Sequence, residues 1–227
     1  MPRTRIKICG LTRVEDIHAV VAAGADAIGF VFYPKSPRYV TPEQAAALIA
    51  AVPPYVTAVG LFVNASVEEV RATRAVAPLS MLQFHGDETP EHSAALAAAV
   101  NTPFTQVFRV KPDTSFEDLL EYEQRYRAAS PLFASLLLDT YVDAYGGAGK
   151  VFDWSLIPKE LAPRVVLSGG LSVQNATDAV VRVRPYAVDI SSGVEASKGI
   201  KDASRVRAFI AAVQDADAII ARGNNHE

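Results

Sequence analysis

Residues 6–32, IKICGLTRVEDIHAVVAAGADAIGFVF, contain the pattern that decides the fold. A short apolar run, Ile6–Cys9, is followed by a helix-like segment and then by a second apolar run, Ala27–Phe32. Thr12 and Glu15 fit a capping box, in which a hydroxyl and a carboxylate satisfy the first free amides of a helix. The stretch therefore predicts a strand, a helix and a second strand in succession.

The same alternation continues to the end of the chain. Six further apolar runs lie near Val56–Val63, Met81–Phe84, Phe104–Val110, Leu132–Asp139, Arg164–Ser168 and Tyr186–Ile190. They are short, often rich in Val, Ile or Phe, and not cleanly alternating, which is typical of parallel strands covered on both faces. Helix-start signals lie between the runs, at Thr41-Pro42, Ser66–Glu69, Thr89-Pro90, Ser115, Ser172 and Asp202.

About eight strands thus alternate with about eight helices, which predicts an α/β fold in the form of a single (β/α)8 barrel. No Gly-Ser linker or charge block divides the chain, so we expect one domain over residues 1–227, with residues 222–227 as a frayed tail. The alternative is an open, doubly wound sheet, because the same alternation of strands and helices also fits that fold.

Composition and charge argue against several classes of protein. The 22 basic and 25 acidic residues give a formal net charge of −3, and no basic stripe of the kind that binds nucleic acid is present. Cys9 is the only cysteine, which excludes an internal disulfide framework and a multi-cysteine zinc or iron–sulfur site. No apolar run approaches the roughly 20 residues of a membrane span, and the start lacks the apolar core of a signal peptide. We therefore expect a cytoplasmic protein that binds neither nucleic acid nor membrane.

Polar residues fall where the predicted strands end, and in a barrel this edge carries the active site. The candidates are Cys9, Arg38, His85, Asp139 and Asp189. Cys9 is either a small buried residue or a nucleophile or base. Asp139 is either a turn acid or a proton donor that an apolar barrel mouth holds in its protonated form. Arg38 either pairs with a substrate carboxylate or is solvated, and His85 either contacts a ligand or makes a hydrogen bond within its loop.

Two glycine-bearing loops indicate a phosphate site. They follow the seventh and eighth predicted strands, where barrels usually bind phosphate, and they supply Gly169, Gly170, Ser192 and Gly193. Glycines let backbone amides approach an anion, although each could also serve only to make a tight turn. A third glycine-rich stretch, GGAGK at 146–150, fails the nucleotide-loop pattern because position 144 is alanine and position 151 is valine. For this stretch we expect a flexible loop over the barrel mouth.

An ordered set of motifs resembles one known family. The first half of the chain contains KICGLT at 7–12, GADAIGFVF at 24–32, SPRYV at 36–40, VGLFVN at 59–64 and LQFHG at 82–86. The second half contains LD at 138–139, GGAGK at 146–150 with FDW at 152–154, LSGGL at 167–171 and DISSGVE at 189–195. The set covers nearly the whole chain and looks like the phosphoribosylanthranilate isomerases of tryptophan biosynthesis, which are small (β/α)8 barrels.

The resemblance implies an Amadori rearrangement of N-(5-phosphoribosyl)anthranilate to 1-(2-carboxyphenylamino)-1-deoxyribulose 5-phosphate, with no cofactor and no metal. Cys9 matches the family's general base, which takes the proton from C2 of the sugar, and Asp139 matches the general acid, which protonates the ring oxygen. Arg38 matches the residue that holds the anthranilate carboxylate, and Asp189 matches a substrate-contacting position. The phosphate cradle is matched by Gly170, Ser192 and Gly193.

The sequence departs from the family pattern at two positions, Ser168 before the double glycine and Ala148 in the glycine-rich loop. Neither departure removes a catalytic group.

Competing interpretations as another enzyme fit less well. An isomerase of histidine biosynthesis would show a twofold internal repeat with paired aspartates, and none is present. A lyase-type synthase would use lysines inside the barrel, whereas Lys35 and Lys111 lie in loops beside prolines and Lys7 lies too early in its strand.

A non-catalytic sensor of a phosphorylated ligand is the alternative from a different class. It would be favoured if either of the two proton-transfer candidates were missing, and both are present. The expected partner is therefore a small phosphorylated substrate, and the sequence does not fix the oligomeric state.

Overall fold

The structure is a computed structural model that describes residues 3–140 and 151–223. Eight parallel strands form a closed barrel in chain order, and the last strand pairs with the first. The strands are β1 (Arg5–Cys9), β2 (Ala27–Val31), β3 (Thr57–Phe62), β4 (Met81–Phe84), β5 (Phe104–Val110), β6 (Phe133–Thr140), β7 (Val166–Leu167) and β8 (Ala187–Ile190). The predicted (β/α)8 barrel is confirmed, and the open sheet is excluded.

Seven α-helices lie within the described ranges. They are α1 (Val14–Ala23), α2 (Pro42–Ile49), α3 (Val67–Val76), α4 (Pro90–Val100), α5 (Phe116–Ala129), α6 (Ala176–Val183) and α7 (Ala203–Gly223). The expected eighth helix is absent from the described part of the unit after β6, where residues 151–165 form two short 3-10 turns. Pro158 and Pro163 lie in this segment, and a proline cannot donate the backbone hydrogen bond that an α-helix interior needs.

The strands are buried on both faces. Ile8 and Phe30 are fully buried in the large core of the protein. The adjacent Cys9 and Val31 point to the opposite face, where they form a small cluster with Leu61. Because both faces of each strand are covered, successive positions carry apolar side chains, which explains the lack of clean alternation in the sequence.

Most predicted helix starts are confirmed. Ser66 and Ser115 form capping boxes with Glu69 and Asp118, and Thr41 forms one with Gln44. The Thr89 side chain accepts from the His92 backbone N–H, and Asp202 accepts from those of Ser204 and Arg205.

Two predicted caps are wrong. Helix α1 begins after Arg13, which makes no capping bond, and the Thr12 hydroxyl instead donates to the Gly199 carbonyl at 2.6 Å. Ser172 lies too early, because α6 begins after Asn175. The Asn175 side chain accepts from the Ser172 backbone N–H at 2.8 Å and closes a turn before the helix.

A two-stranded hairpin that the sequence analysis does not predict lies between β8 and α7. It pairs β9 (Glu195–Ser197) with β10 (Ile200–Lys201) in antiparallel fashion. Gly199, the acceptor of the Thr12 hydroxyl, lies at the turn of this hairpin with a φ of 81°. The hairpin is therefore attached to the loop that follows β1, at the carboxyl end of the barrel.

The two ends of the described chain are joined by hydrogen bonds. The backbone N–H and the hydroxyl of Thr4 donate to the Asp217 carboxylate of α7 at 2.9 and 2.7 Å. Helix α7 includes the first two residues of the expected frayed tail, 222 and 223. Residues 224–227 and the expected flexible loop at 146–150 lie outside the described residues. No described helix is long and apolar enough to cross a membrane.

Candidate active site

The Cys9 thiol lies at the carboxyl end of β1, inside the barrel. Its residue is 5% exposed and packs against Val31 and Leu61. Gly29 of β2 is paired with Cys9 in the register of the two strands. A Cβ atom on Gly29 would lie 2.7 Å from the sulfur, so the absence of a side chain there makes room for the thiol.

Three buried charged side chains surround this thiol. Lys7 Nζ donates to Asp189 Oδ1 at 2.8 Å across the β1–β8 pairing. Burial holds the pKa of the Cys9 thiol above its ordinary value, and the charge of Asp189 raises it further; the charges of Lys7 and Lys201 offset only part of this rise. Lys7, judged from the sequence to lie too early in its strand for a catalytic lysine, is therefore beside the thiol. The signal that identifies it is the two-residue spacing to Cys9, which puts both side chains on one face of β1.

Asp139 of β6 and His85, which follows β4, form one hydrogen-bonded chain. His85 Nε2 lies 3.2 Å from Asp139 Oδ2, and the Thr140 backbone N–H donates to Oδ1 at 2.8 Å. Gln83 Nε2 lies 3.1 Å from His85 Nδ1. His85 therefore links Gln83 of β4 to Asp139 of β6 through its two ring nitrogens. Sequence reasoning predicts His85 and Asp139 separately, and it misses Gln83.

Arg38 is held in a double hydrogen bond that the sequence analysis does not anticipate. Its Nε and Nη2 atoms donate to Glu195 Oε1 and Oε2 at 2.7 and 2.8 Å. Lys201 Nζ donates to the same Glu195 Oε1 at 2.9 Å and to the Ser191 carbonyl at 3.1 Å. Burial raises the Glu195 pKa, but the hydrogen bonds and charges of Arg38 and Lys201 outweigh burial and hold that pKa below its ordinary value.

This pairing leaves part of the guanidinium available to a ligand. No hydrogen bond from Arg38 Nη1 is found within the described residues. The arginine crosses the end of β1 at Gly10, where a Cβ atom would lie 2.4 Å from Arg38 Cδ and where φ is 78°. Gly10 therefore lets Arg38 lie close above the strand that carries Cys9.

The loops after β7 and β8 meet in the manner of an anion site. Gly169 and Gly170 have φ values of 80° and 67°, and a Cβ atom on Gly193 would lie 2.3 Å from the Leu171 carbonyl oxygen. In the described part of the chain, the N–H groups of Gly169, Gly170 and Leu171 donate to no backbone acceptor. Successive free N–H groups in left-handed turns form a concave site for an anion.

One further polar atom lies beside these loops. Thr140 Oγ1 is buried without a hydrogen-bond partner among the described residues, and a Cβ atom on Gly169 would lie 2.6 Å from it. A buried hydroxyl without a partner is costly, so this atom is available for a ligand oxygen. Among the residues that the structure describes, no group of three or more His, Cys, Asp or Glu side chains is placed to hold a metal ion.

Comparison with known proteins assigns the family. A family model described as N-(5'phosphoribosyl)anthranilate (PRA) isomerase matches residues 6–212. The chain belongs to this family. The N-(5'-phosphoribosyl)anthranilate isomerase of Herminiimonas arsenicoxydans is 71% identical over 218 residues, with 96% of each chain covered. That of Methylibium petroleiphilum is 57% identical over 219 residues, covering 96% of this chain and 98% of the relative.

Solved structures of the family share the fold. The phosphoribosylanthranilate isomerase of Thermotoga maritima superposes with a TM-score of 0.80 at 40% identity, covering 93% of this chain and 99% of that one. Another phosphoribosylanthranilate isomerase, solved in complex with reduced 1-(o-carboxyphenylamino)-1-deoxyribulose 5-phosphate, has a TM-score of 0.77 at 37% identity with the same coverage. Family and fold thus agree with the resemblance found in the sequence.

Proposed function

We propose that this chain catalyses the Amadori rearrangement of N-(5-phosphoribosyl)anthranilate, with Cys9 as general base and Asp139 as general acid. The observation that carries the proposal is that a buried thiol and a carboxyl lie at one barrel mouth, beside loops whose N–H groups donate to no backbone acceptor in the described part of the chain. The membership of the phosphoribosylanthranilate isomerase family supports the same reaction.

The reaction needs one proton donor and one proton acceptor. Asp139 gives a proton to the ring oxygen while the bond from that oxygen to C1 breaks, which leaves a C1–nitrogen iminium. The Cys9 thiolate then takes the proton from C2, and the electron pair forms a C1–C2 double bond. Ketonisation moves a proton to C1 and yields the 2-ketose. C1 is reduced as C2 is oxidised within one molecule, so the electrons balance without an external partner.

The remaining groups are assigned to binding. Arg38 holds the anthranilate carboxylate through Nη1, which donates to no acceptor among the described residues, because a guanidinium suits a planar anion. The 5-phosphate lies against Gly169, Gly170, Ser192 and Gly193. His85 keeps Asp139 oriented and contacts the substrate, and the Asp189 carboxylate faces the substrate amine or a sugar hydroxyl.

The test is turnover of freshly generated phosphoribosylanthranilate, followed as loss of substrate fluorescence without added cofactor. Asp139→Asn keeps the shape of the side chain but has no carboxyl proton, so we expect turnover to fall by about 100- to 10,000-fold. Cys9→Ser exchanges one atom for a far weaker acid, so little base is available and turnover falls while KM stays nearly constant. Wild-type turnover by either folded variant would reject the role of that residue.

The extent of the domain, the location of the protein in the cell and its lack of nucleic-acid binding are also proposals. We infer a single barrel domain over residues 1–227 and a cytoplasmic enzyme that acts on its small substrate without nucleic acid. Cell fractionation followed by the fluorescence assay tests the location. A salt-dependent gel shift with mixed DNA would contradict the expected lack of nucleic-acid binding, which rests on the net charge of −3.

A further inference from the structure

Lys7 lies beside Cys9 inside the barrel, and the reaction scheme above gives Lys7 no role. They are two residues apart on β1, so both side chains face the interior. A Cβ atom on Gly29 would lie 2.7 Å from Cys9 Sγ and 3.2 Å from Lys7 Nζ. The sulfur and the ammonium therefore border the same small space in front of β2.

The Asp189 carboxylate stabilises the positive charge of Lys7. Its Nζ donates to Asp189 Oδ1 at 2.8 Å, and the two side chains are 10% and 7% exposed. Burial lowers the Lys7 pKa, but the charges of Asp189 and Cys9 outweigh burial and leave that pKa above its ordinary value. Lys7 is thus a cation at neutral pH although it is almost fully buried.

We propose that Lys7 is a positioning residue that favours the thiolate form of the Cys9 sulfur against the effect of burial, with Asp189 holding the ammonium in place. An opposite charge within about 4–6 Å favours the ionised form of a group. A buried thiolate is not stabilised by surrounding water, so a neighbouring cation has to stabilise it instead. The inference rests on the proposed role of Cys9 as base, because a thiolate is the form that accepts the C2 proton.

Other charged groups also lie near the sulfur. The two other cations differ from Lys7 because they are paired with a different carboxylate. Lys201 of β10 and Arg38 of the β2–α2 loop share the Glu195 carboxylate. Lys201 donates to the Glu195 carboxylate and to the Ser191 carbonyl, whereas the Lys7 ammonium borders the same space at Gly29 as the sulfur. Asp189 opposes both lysines, and Tyr33 packs against the Cys9 cluster.

The experiment measures the pH dependence of alkylation by iodoacetamide, which reports the thiolate. Cys9 is the only cysteine, so the reaction reports this residue alone. In Lys7→Met we expect the alkylation midpoint to rise by about 1–3 pH units. The rising limb of the pH profile of kcat/KM, which reports ionisation of the base, should shift by the same number of pH units, and KM should stay nearly unchanged. The matched control Lys198→Met, at an exposed position of the hairpin, should keep the wild-type midpoint.

Lys7→Met leaves the buried Asp189 carboxylate without its partner, which can prevent folding. The double variant Lys7→Met/Asp189→Asn removes both charges. Its alkylation midpoint should lie above that of Asp189→Asn alone, because the single variant still has the Lys7 ammonium beside the sulfur at Gly29 and the double variant does not. A folded double variant with the same alkylation midpoint as Asp189→Asn would overturn the proposal and leave Lys7 with a purely structural role.

This outcome is separate from the test of the reaction. If Cys9→Ser retains full turnover, the proposed function fails, while the alkylation midpoints still report whether Lys7 controls the sulfur. If Cys9→Ser is inactive and the Lys7→Met midpoint is unshifted, only the present inference fails.

Discussion

Three cations in the barrel and at its mouth are held by carboxylates from the last part of the chain. Lys7 pairs with Asp189, and Arg38 and Lys201 share Glu195. A buried ion pair adds little net stability over an apolar pair, but removal of one partner is strongly destabilising because the remaining charge is left without compensation. Glu195 holds two cations, so its loss affects both.

Glu195→Gln should therefore destabilise the protein at pH 7 by roughly 3 kcal/mol. The native Glu195 pKa lies below its ordinary value of 4.5, so its contribution is complete above that value and is lost as the pH falls through the lower native pKa. Urea unfolding at several pH values gives the free energy of unfolding of each protein. The difference in this free energy between variant and wild type should shrink below about pH 4.5.

The exposed control Glu121→Gln, in the middle of α5, should track the wild type at every pH. If the loss of unfolding free energy in Glu195→Gln stays constant down to pH 3, the ionised Glu195 carboxylate is not its cause.

The sequence predicts single residues well where a strand ends and poorly where a partner comes from far away. Cys9 and Asp139 are identifiable because each is a polar residue that closes an apolar run. Glu195 and Lys201 meet Arg38 only because an unpredicted hairpin folds back over the barrel mouth. No local pattern encodes that contact, since Arg38 and Glu195 are 157 positions apart.

Among the elements, the strands are predicted more accurately than the helix starts. The expected run Met81–Phe84 matches β4 at both ends, because two buried faces leave a plain apolar signal. Thr12 has the capping pattern but bonds to Gly199, because a hydroxyl at a barrel mouth has tertiary acceptors within reach. A cap signal is thus reliable only where the helix start faces solvent, as at Ser66.

The packing of β1 against β2 leads to a prediction for Gly29→Ala. The new Cβ would lie 2.7 Å from Cys9 Sγ and 3.2 Å from Cys9 Cα, so either the thiol or the β1 backbone must move. A displacement of about 1 Å in a reacting group costs roughly 100-fold in rate, so we expect a loss of that order in kcat. The measurement is kcat at matched folded fraction.

Gly223→Ala is the control for this substitution, because nothing lies within 4 Å of a Cβ atom at the end of α7. It should leave turnover unchanged. Wild-type turnover in a folded Gly29→Ala protein would show that the position of the sulfur tolerates the added methyl group.

At the scale of the whole molecule, the anion site links binding to stability. A ligand that binds only the native state stabilises it, and a concentration ten times Kd contributes about 1.4 kcal/mol. For a chain of this size we expect inorganic phosphate to raise Tm by roughly 3–6 °C, compared with sodium chloride at equal ionic strength. Phosphate should also compete with the substrate.

Ser192 gives the variant for this test, since it is exposed in the loop after β8. Ser192→Asp should abolish the stabilisation by phosphate through like-charge repulsion, and the neutral Ser192→Asn should keep most of it. Gly193→Asp is less informative, because any side chain there meets the Leu171 carbonyl oxygen. An equal Tm shift in the aspartate variant and the wild type would place the phosphate elsewhere.

The pairing of β1 with β8 has a consequence for synthesis on the ribosome. The first strand emerges early, yet its second partner, Ala187–Ile190, and the Asp217 carboxylate that binds Thr4 are made last. Until then the nascent chain exposes the unpaired edge of β1, a hydrogen-bonding template that invites aggregation. A truncation before Ala187 should thus yield insoluble protein, whereas one that removes only residues 224–227 should not.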